Sequence, residues 1–316
     1  MSGGCFVGVD TSNYTTSVAV IAEDGTELAN LKYPLPVKEG QRGLRQSDAL
    51  FSHTSALPNA MECASEIIGN RRVLAVGVSS RPRNVEGSYM PCFLAGVSAA
   101  TAFAVGAGAP LYRFSHQCGH IMSALYSSGS ESLLSAPFYG AHVSGGTTEL
   151  LLVKAEGSGF HCSCIGGTKD VNAGQLIDRI GVAMGLKFPC GPALEMLALS
   201  CDQKIPARAP RLEETYVNFS GAENLSLQLY EKTQDKSLTA AFLLSHIGEG
   251  LSRATRACME KYGEAPIVFA GGVMSNSILK KRLGQEFNAF FADPAHSADN
   301  AVGIAVLARR KFMGCR

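Results

Sequence analysis

The sequence predicts an α/β protein built on mixed sheets, and three observations carry that reading. Apolar runs of strand length alternate with longer segments of helical spacing. A strand, a turn rich in hydroxyls or glycine, and a second strand follow one another twice, near residues 5–21 and near 138–154. A third apolar run, Pro266-Ile267-Val268-Phe269-Ala270, ends on the glycine pair Gly271-Gly272.

Taken in order, Cys5-Phe6-Val7-Gly8-Val9-Asp10 is an apolar strand closing on a carboxylate. Thr11 to Thr16 is a hydroxyl-rich turn, Ser17 to Ile21 a strand, and Glu23-Asp24-Gly25 a hairpin turn. Leu50, Leu57, Met61, Ile67 and Ile68 keep helical spacing, and Val73 to Ser79 is a strand. The run from Cys92 to Leu111 carries no charge over about the length that crosses a bilayer. It is rich in Ala and Gly rather than Leu, Ile and Phe, so it reads as a helix buried against a sheet, with no membrane span. Pro110 to Phe114 is a short strand leading to a helix over Ile121 to Tyr126. Phe138 to Val143 and Glu149 to Lys154 are strands around the turn Ser144-Gly145-Gly146-Thr147-Thr148. A helix follows from about Ser275, and another opens at His296-Ser297-Ala298-Asp299-Asn300. Residues 200–236 read as polar and irregular, with an insertion or lid around Asn218-Phe219-Ser220-Gly221.

Hydrophobic content of 46% and charged content of 17% in 316 residues allow a sizeable core and exclude global disorder. The formal net charge of +1 excludes a general basic field for nucleic acid, leaving a local patch drawn from Arg81, Arg83, Lys204, Arg208 and Arg211, or ordinary solvated loop charge. Ten cysteines with no Cys-x-x-Cys, and an opening that runs straight into a strand, point to reduced thiols in a cytoplasmic setting.

Chemistry concentrates at His116 and His120. Four residues apart at the mouth of a strand-to-helix turn, they project from one helical face and can share a divalent metal, or stand as two exposed helix-start histidines. The sequence argues against a zinc peptidase. Its His-Glu-x-x-His motif needs a glutamate base directly after the first histidine, and Gln117 stands there. Asp299 is open to two readings: an N-cap of the last helix, or an oxygen ligand completing a two-histidine, one-carboxylate site.

Glycine and hydroxyl turns after strands expose backbone N–H groups to phosphate. Two such turns and a late Gly-Gly turn resemble the actin, heat-shock-protein and sugar-kinase (ASKHA) architecture, in which two lobes enclose a nucleotide cleft. That resemblance implies an N-terminal lobe over 1–108. It implies a C-terminal lobe over 109–298 with a helical insertion near 170–236, and a C-terminal helix over 299–316 packing back on the first lobe.

The ordered motifs are more specific. Gly8-Val9-Asp10-Thr11-Ser12, His116-Gln117-Cys118-Gly119-His120 and His142-Val143-Ser144-Gly145-Gly146 come first. Asp170 through Gly174-Gln175 to Asp178, Pro189-Cys190-Gly191-Pro192 and Phe219-Ser220-Gly221 follow. Gly271-Gly272-Val273-Met274-Ser275-Asn276 and Ala298-Asp299-Asn300 complete the series. Together they resemble the TsaD/Kae/Gcp family of tRNA threonylcarbamoyladenosine transferases, once labelled O-sialoglycoprotein endopeptidases. The resemblance implies a divalent metal, iron or zinc, on His116, His120 and Asp299. It implies threonylcarbamoyl-AMP or an adenine nucleotide held by His142, Val143, Ser144, Gly145, Gly146, Asp178, Gly191, Gly271, Gly272 and Asn276. Asp10, Thr11 and Ser12 would form a phosphate loop. The implied partners are tRNA, a homologous TsaB-like subunit and an ATPase subunit. The chain departs from the family at Cys118, Thr147 and Gln175, where the family has Glu, His and Glu. It departs also at Asn13-Tyr14-Thr15, and at Arg81-Pro82-Arg83-Asn84 with added residues before the helix. These changes mark a diverged relative and leave open a second role, a non-catalytic nucleotide-binding paralogue that partners or regulates a true transferase.

Overall fold

The computed structural model describes residues 3–12, 14–36, 44–203, 205 and 208–314, so Asn13 and Lys204 lie outside the described residues. The chain forms two compact units. One comprises Met1–Ala136, Lys154–Cys162 and Ala295–Arg316; the other comprises Pro137–Val153 and Ser163–Pro294. The sequence-based boundaries differ from this division: 108/109 falls inside the first unit, which keeps both histidines of the His116–His120 pair.

In the first unit, β1 (Gly4–Thr11), β2 (Thr15–Ala22) and β3 (Glu27–Pro34) form an antiparallel set. After α1 (Gln46–Ile68), β4 (Arg72–Arg81) pairs parallel with β1. After α2 (Phe93–Gly106), β5 (Leu111–Ser115) pairs parallel with β4 and runs into α3 (His116–Ser127). The sheet order is β3-β2-β1-β4-β5. Every residue of β1 is buried, because both faces of the central strands are covered. Val7, Val9, Val18 and Val20 pack with Leu57, Ala60 and Ala64 of α1 and Ala100 and Ala104 of α2. Each fully buried Val or Leu contributes about 1.5–3 kcal/mol. The charge-free run therefore serves as a helix laid on the sheet. No helix among the described residues is long and apolar enough to cross a membrane.

The other sheet, which apart from residues Lys154–Cys162 belongs to the second unit, has the order β12-β11-β6-β7-β8-β10-β9. The elements in chain order are β6 (Phe138–Val143), β7 (Thr148–Glu156), β8 (Gly159–Thr168), α4 (Ala173–Ala183), α5 (Gly191–Leu199), β9 (Arg211–Glu213) and β10 (Tyr216–Asn218). Then come α6 (Ser220–Thr233), α7 (Lys236–Tyr262), β11 (Ile267–Ala270), α8 (Ser277–Glu286) and β12 (Ala289–Phe291). Parallel pairing of β11 with β6 sets Ala270 opposite His142, so the turns after these two strands emerge side by side. Leu243, Leu244, Ile247 and Leu251 of α7 supply much of this unit's core, with Leu176 and Ile180 of α4.

Part of the segment expected to be irregular is helical. α6 covers residues 220–233, and α7 begins directly after it, capped by Asp235, whose side chain accepts from Leu238 N–H at 2.9 Å. The reason is physical: α6 fully buries only Ala222 and Ser226, with Leu227 and Tyr230 partly buried against the core, so its apolar side is weakly marked in the sequence. Near the C-terminus, α9 (Pro294–Ser297) and α10 (Val302–Gly314) flank Asp299. The helix-start role belongs to Asn300, whose Oδ1 accepts from Val302 N–H at 3.0 Å. Asp299 is left for other work.

α10 approaches its neighbours through glycines. A Cβ built on Gly303 would lie 1.9 Å from the Gly119 carbonyl oxygen of α3, and one on Gly8 would lie 2.4 Å from the Ala301 carbonyl oxygen. Both contacts are backbone, so a methyl group has nowhere to go. Gly303→Ala is expected to cost about 1–3 kcal/mol in urea denaturation. Gly106→Ala, where a Cβ meets nothing within 4 Å, is expected to be neutral or stabilising. Equal stability of the two variants would show that α10 does not pack this closely.

Candidate functional site

α3 starts at His116 because Ser115 caps it, the Ser115 hydroxyl accepting from Cys118 N–H at 3.2 Å. The cap sets both histidines in the first turns, five residues earlier than the helix expected from Ile121. Their rings meet at a centroid distance of 4.4 Å, with the two Nε2 atoms 3.0 Å apart. Asp299 Oδ1 lies 3.2 Å from His120 Nε2 and 3.7 Å from His116 Nε2. The three ligand atoms all fall within 4.8 Å of one another. The first unit thus gathers the three residues singled out as metal ligands.

The neighbours orient this set. Asp10, buried at the end of β1, places Oδ2 2.8 Å from His116 Nδ1. The Ser79 hydroxyl donates to the same oxygen, and Ser12 N–H donates to Asp10 Oδ1 at 3.0 Å. A neutral His116 that donates from Nδ1 to Asp10 presents the Nε2 lone pair to the site. The Ser12 hydroxyl donates to Asp299 Oδ2 at 3.0 Å, which leaves Oδ1 for the histidines. Thr11 instead bonds to α2, donating to Cys92 O and accepting from Gly96 N–H. Two residues of the expected phosphate loop, Asp10 and Ser12, are therefore committed to the histidine–carboxylate cluster. Ser79 had no sequence signal. His53 is buried on α1, with Nδ1 2.8 Å from Thr16 Oγ1, and feels the charges of Asp10 and Asp299.

The residues fit a divalent cation. Two Nε2 lone pairs 3.0 Å apart repel unless a proton or cation stands between them. With no metal, a proton does this: burial opposes charging His116, but the Asp10 and Asp299 carboxylates outweigh it and raise its pKa to about 9. The same pairing works against burial to hold Asp10 and Asp299 below the usual carboxylate range. With both imidazoles neutral, a double positive charge balances the two carboxylates. Cys118 stays out of this set. Its buried thiol meets Asn84 Nδ2 at 3.3 Å and Cys162 Sγ at 3.9 Å. Gln117 is buried, and its N–H donates to Pro82 O, so no carboxylate occupies the peptidase-base position.

The second unit gathers most of the residues expected to hold nucleotide. Gly271 has φ 96°, and a Cβ there would sit 2.3 Å from the Val143 carbonyl oxygen, so the glycine turn lies against the end of β6. Gly174 N–H donates to Ser144 O at 3.2 Å, bringing the start of α4 beside the 144–146 turn, where Gly145 and Gly146 are exposed. Asn276 proves to be a helix cap, its Oδ1 accepting from Ile278 and Leu279 N–H. Asp178 accepts from Cys190 N–H at 2.8 Å and so holds the turn into Gly191, while burial raises its carboxyl pKa. Glu195 of α5 accepts from Ser277 N–H at 2.7 Å, tying that helix to the start of α8. Among the candidate basic residues, Arg81 and Arg83 belong to the first unit, and Arg208 and Arg211 to the second.

Two outcomes follow. In elemental analysis after metal loading, Asp299→Asn should lose most of the metal, because no other His, Cys, Asp or Glu joins the group among the described residues. Asp10→Asn should weaken affinity about 10–100-fold by loosening His116, and His161→Ala, outside the cluster, should match wild type. Wild-type metal content in Asp299→Asn would remove Asp299 from the site. In the metal-free protein the stabilisation from protonated His116 is full below pH 6.5 and is lost as pH rises through about 9. The thermal midpoint should therefore fall across that window, and His116→Gln should flatten the fall; an unchanged slope in the variant would contradict the pairing.

Comparison with known proteins agrees with the motifs. The family model described as TsaD, tRNA N6-adenosine threonylcarbamoyltransferase, matches residues 49–306. The tRNA N6-adenosine threonylcarbamoyltransferase of Streptococcus suis strain 05ZYH33 is 28% identical over 296 residues, covering 90% of this chain and 85% of its own. That of Streptococcus pneumoniae strain D39 is 30% identical over 312 residues, covering 94% and 89%. Among solved structures, HypF of T. kodakarensis superposes with a TM-score of 0.63 at 14% identity, covering 99% of this chain, which spans 48% of that protein. The ROK hexokinase of Thermus thermophilus superposes with a TM-score of 0.50 at 15% identity, covering 97% and 99%. The fold is accordingly that of the actin, heat-shock-protein and sugar-kinase class. On the family match over residues 49–306 and the relatives that align along nearly the whole chain, the protein belongs to the TsaD family.

Proposed function

We propose that this chain transfers a threonylcarbamoyl group from threonylcarbamoyl-AMP to the exocyclic amine of a tRNA adenine beside the anticodon. The observation that carries the reading is the convergence of His116, His120 and Asp299 in a member of this transferase family. These three residues would hold one iron or zinc ion, a pairing that suits two imidazoles and a carboxylate with open positions. Such an ion, when bound, supplies positive charge against the donor's oxygens. Asp10 keeps His116 in the tautomer that faces the site, and Ser12 does the same for one oxygen of Asp299. In this reading the turns at Gly145, Gly146 and Gly272 would receive phosphate and adenosine through backbone N–H groups; a Cβ built on any of these glycines would meet nothing within 4 Å. In the transfer, the amine nitrogen bonds to the carbamoyl carbon, the bond from that carbon to the AMP oxygen breaks, and the amine gives up a proton. The partners in this reading are tRNA, a homologous TsaB-like subunit and an ATPase subunit, in the cytoplasm.

The departures favour one second reading, a nucleotide-binding paralogue that regulates a true transferase. Cys118 brings a buried thiol to the position where the family has a carboxylate, and Thr147 and Gln175 replace a histidine and a glutamate. Nucleoside analysis of tRNA from a strain relying on this gene alone separates the two. Threonylcarbamoyladenosine at normal abundance supports the transferase, and its absence alongside intact nucleotide binding supports the paralogue.

Nucleotide binding has its own check. Saturating AMP or threonylcarbamoyl-AMP should raise wild-type stability by about 2.7 kcal/mol at a hundredfold excess over Kd. Gly272→Arg should keep the fold and lose that gain. Equal protection of both proteins in a thermal-shift assay would place the nucleotide elsewhere.

A further inference from the structure

The second unit carries a cavity of about 300 Å³ that the transfer reaction does not use. Arg208, Arg211, Asn218, Ser220 and His246 line it, bringing together the strap before β9, the end of β10, the start of α6 and one face of α7. Arg253 anchors the strap, donating to Pro210 O at 2.5 Å. His246 is 3% exposed, and its Nδ1 is buried with no hydrogen-bond partner among the described residues. The imidazole lines the cavity from α7.

The charges around the cavity leave a positive excess. Asp170 is spent on backbone donors, accepting from Phe219 N–H at 2.9 Å and from Ser220 N–H at 2.8 Å. Glu213 pairs with Arg211 at 2.9 Å, and Glu249 pairs with Arg282. Arg208 makes no ion pair among the described residues, and its charge, with burial, keeps the His246 imidazole neutral. The acids nearby are thus each engaged, while the Arg208 guanidinium is in no ion pair among the described residues.

We propose that this cavity is an anion site for a tetrahedral phosphate group, carried by an RNA backbone or free in solution. Arg208 and Arg211 supply the charge, Ser220 and Asn218 the neutral donors, and the His246 ring lines the wall from α7. The site stands independently of the transfer reaction, since none of its residues belongs to the metal cluster or to the glycine turns. Its size admits a phosphate with the sugar attached to it.

The test uses the full chain labelled with ¹⁵N-histidine and titrated with inorganic phosphate at constant ionic strength. His246 ring signals should shift saturably, and potassium chloride alone should not move them. The half-saturation point should rise at least tenfold in Arg208→Glu and in Arg211→Glu, both exposed positions at which the fold is safe. An unmoved His246, or variants that titrate like wild type, would mean an adventitious ion only and overturn the site. A second arm measures transfer RNA binding across a salt series. A backbone phosphate here predicts weaker binding by Arg208→Glu and a salt slope smaller by about one. Unchanged RNA affinity beside a lost phosphate response would assign the site to free phosphate.

Discussion

Two backbones that nearly touch govern the first unit. Gly303 of α10 rests against the Gly119 carbonyl of α3, and Gly8 of β1 rests against the Ala301 carbonyl just before α10. A larger residue at either place would hold α10 away from the sheet and from α3. The bend that carries Asp299 sits directly before this helix, so its position follows from how closely α10 packs. The same closeness seats Gly119 between the two histidines of α3, where a side chain would meet Ile304 of α10. Small residues in the fold and ligands in the site are therefore one requirement, met by packing rather than by any local motif.

Charge is the second requirement. Two carboxylates, Asp10 and Asp299, are brought to two imidazoles in a largely buried place, and such a group is stable only if its charge is balanced. A proton on His116 achieves this without metal, and a divalent ion achieves it with both imidazoles neutral. A bound metal would compete with the proton for the same position, which would link metal uptake to pH. The hydroxyls of Ser79 and Ser12 complete the network: Ser79 donates to the Asp10 oxygen that faces His116, and Ser12 takes the Asp299 oxygen turned away from the histidines.

How far the sequence shows this depends on whether the contact is local. The β1–β2 hairpin, the charge-free helix α2 and the His116–His120 pair are legible because periodicity and spacing act within a few residues. The link between Asp10 and His116 spans 106 positions and that between Asp299 and His120 spans 179, so no window contains either pair. Motif resemblance named Asp299, and the fold supplied the reason that it is free: Asn300 takes the helix cap. α6 is weakly marked because only Ala222 and Ser226 of it are fully buried, and Asn276 and Asp178 gained structural duties, a helix cap and a turn clamp, that motif position does not disclose. Cys118 is the sharpest departure at the metal cluster. Its sulfur is engaged with Asn84 and Cys162, which keeps the ligand set to nitrogen and oxygen despite a thiol between the two histidines.

The central claim is that one metal ion is held by His116, His120 and Asp299 with no sulfur ligand. X-ray absorption at the metal edge of the loaded full-length protein tests it most directly. Nitrogen and oxygen neighbours at about 2.0–2.2 Å with the outer scattering of two imidazoles are expected, and His120→Ala is expected to retain little metal. A sulfur neighbour at about 2.3 Å would place Cys118 in the coordination sphere and contradict the account.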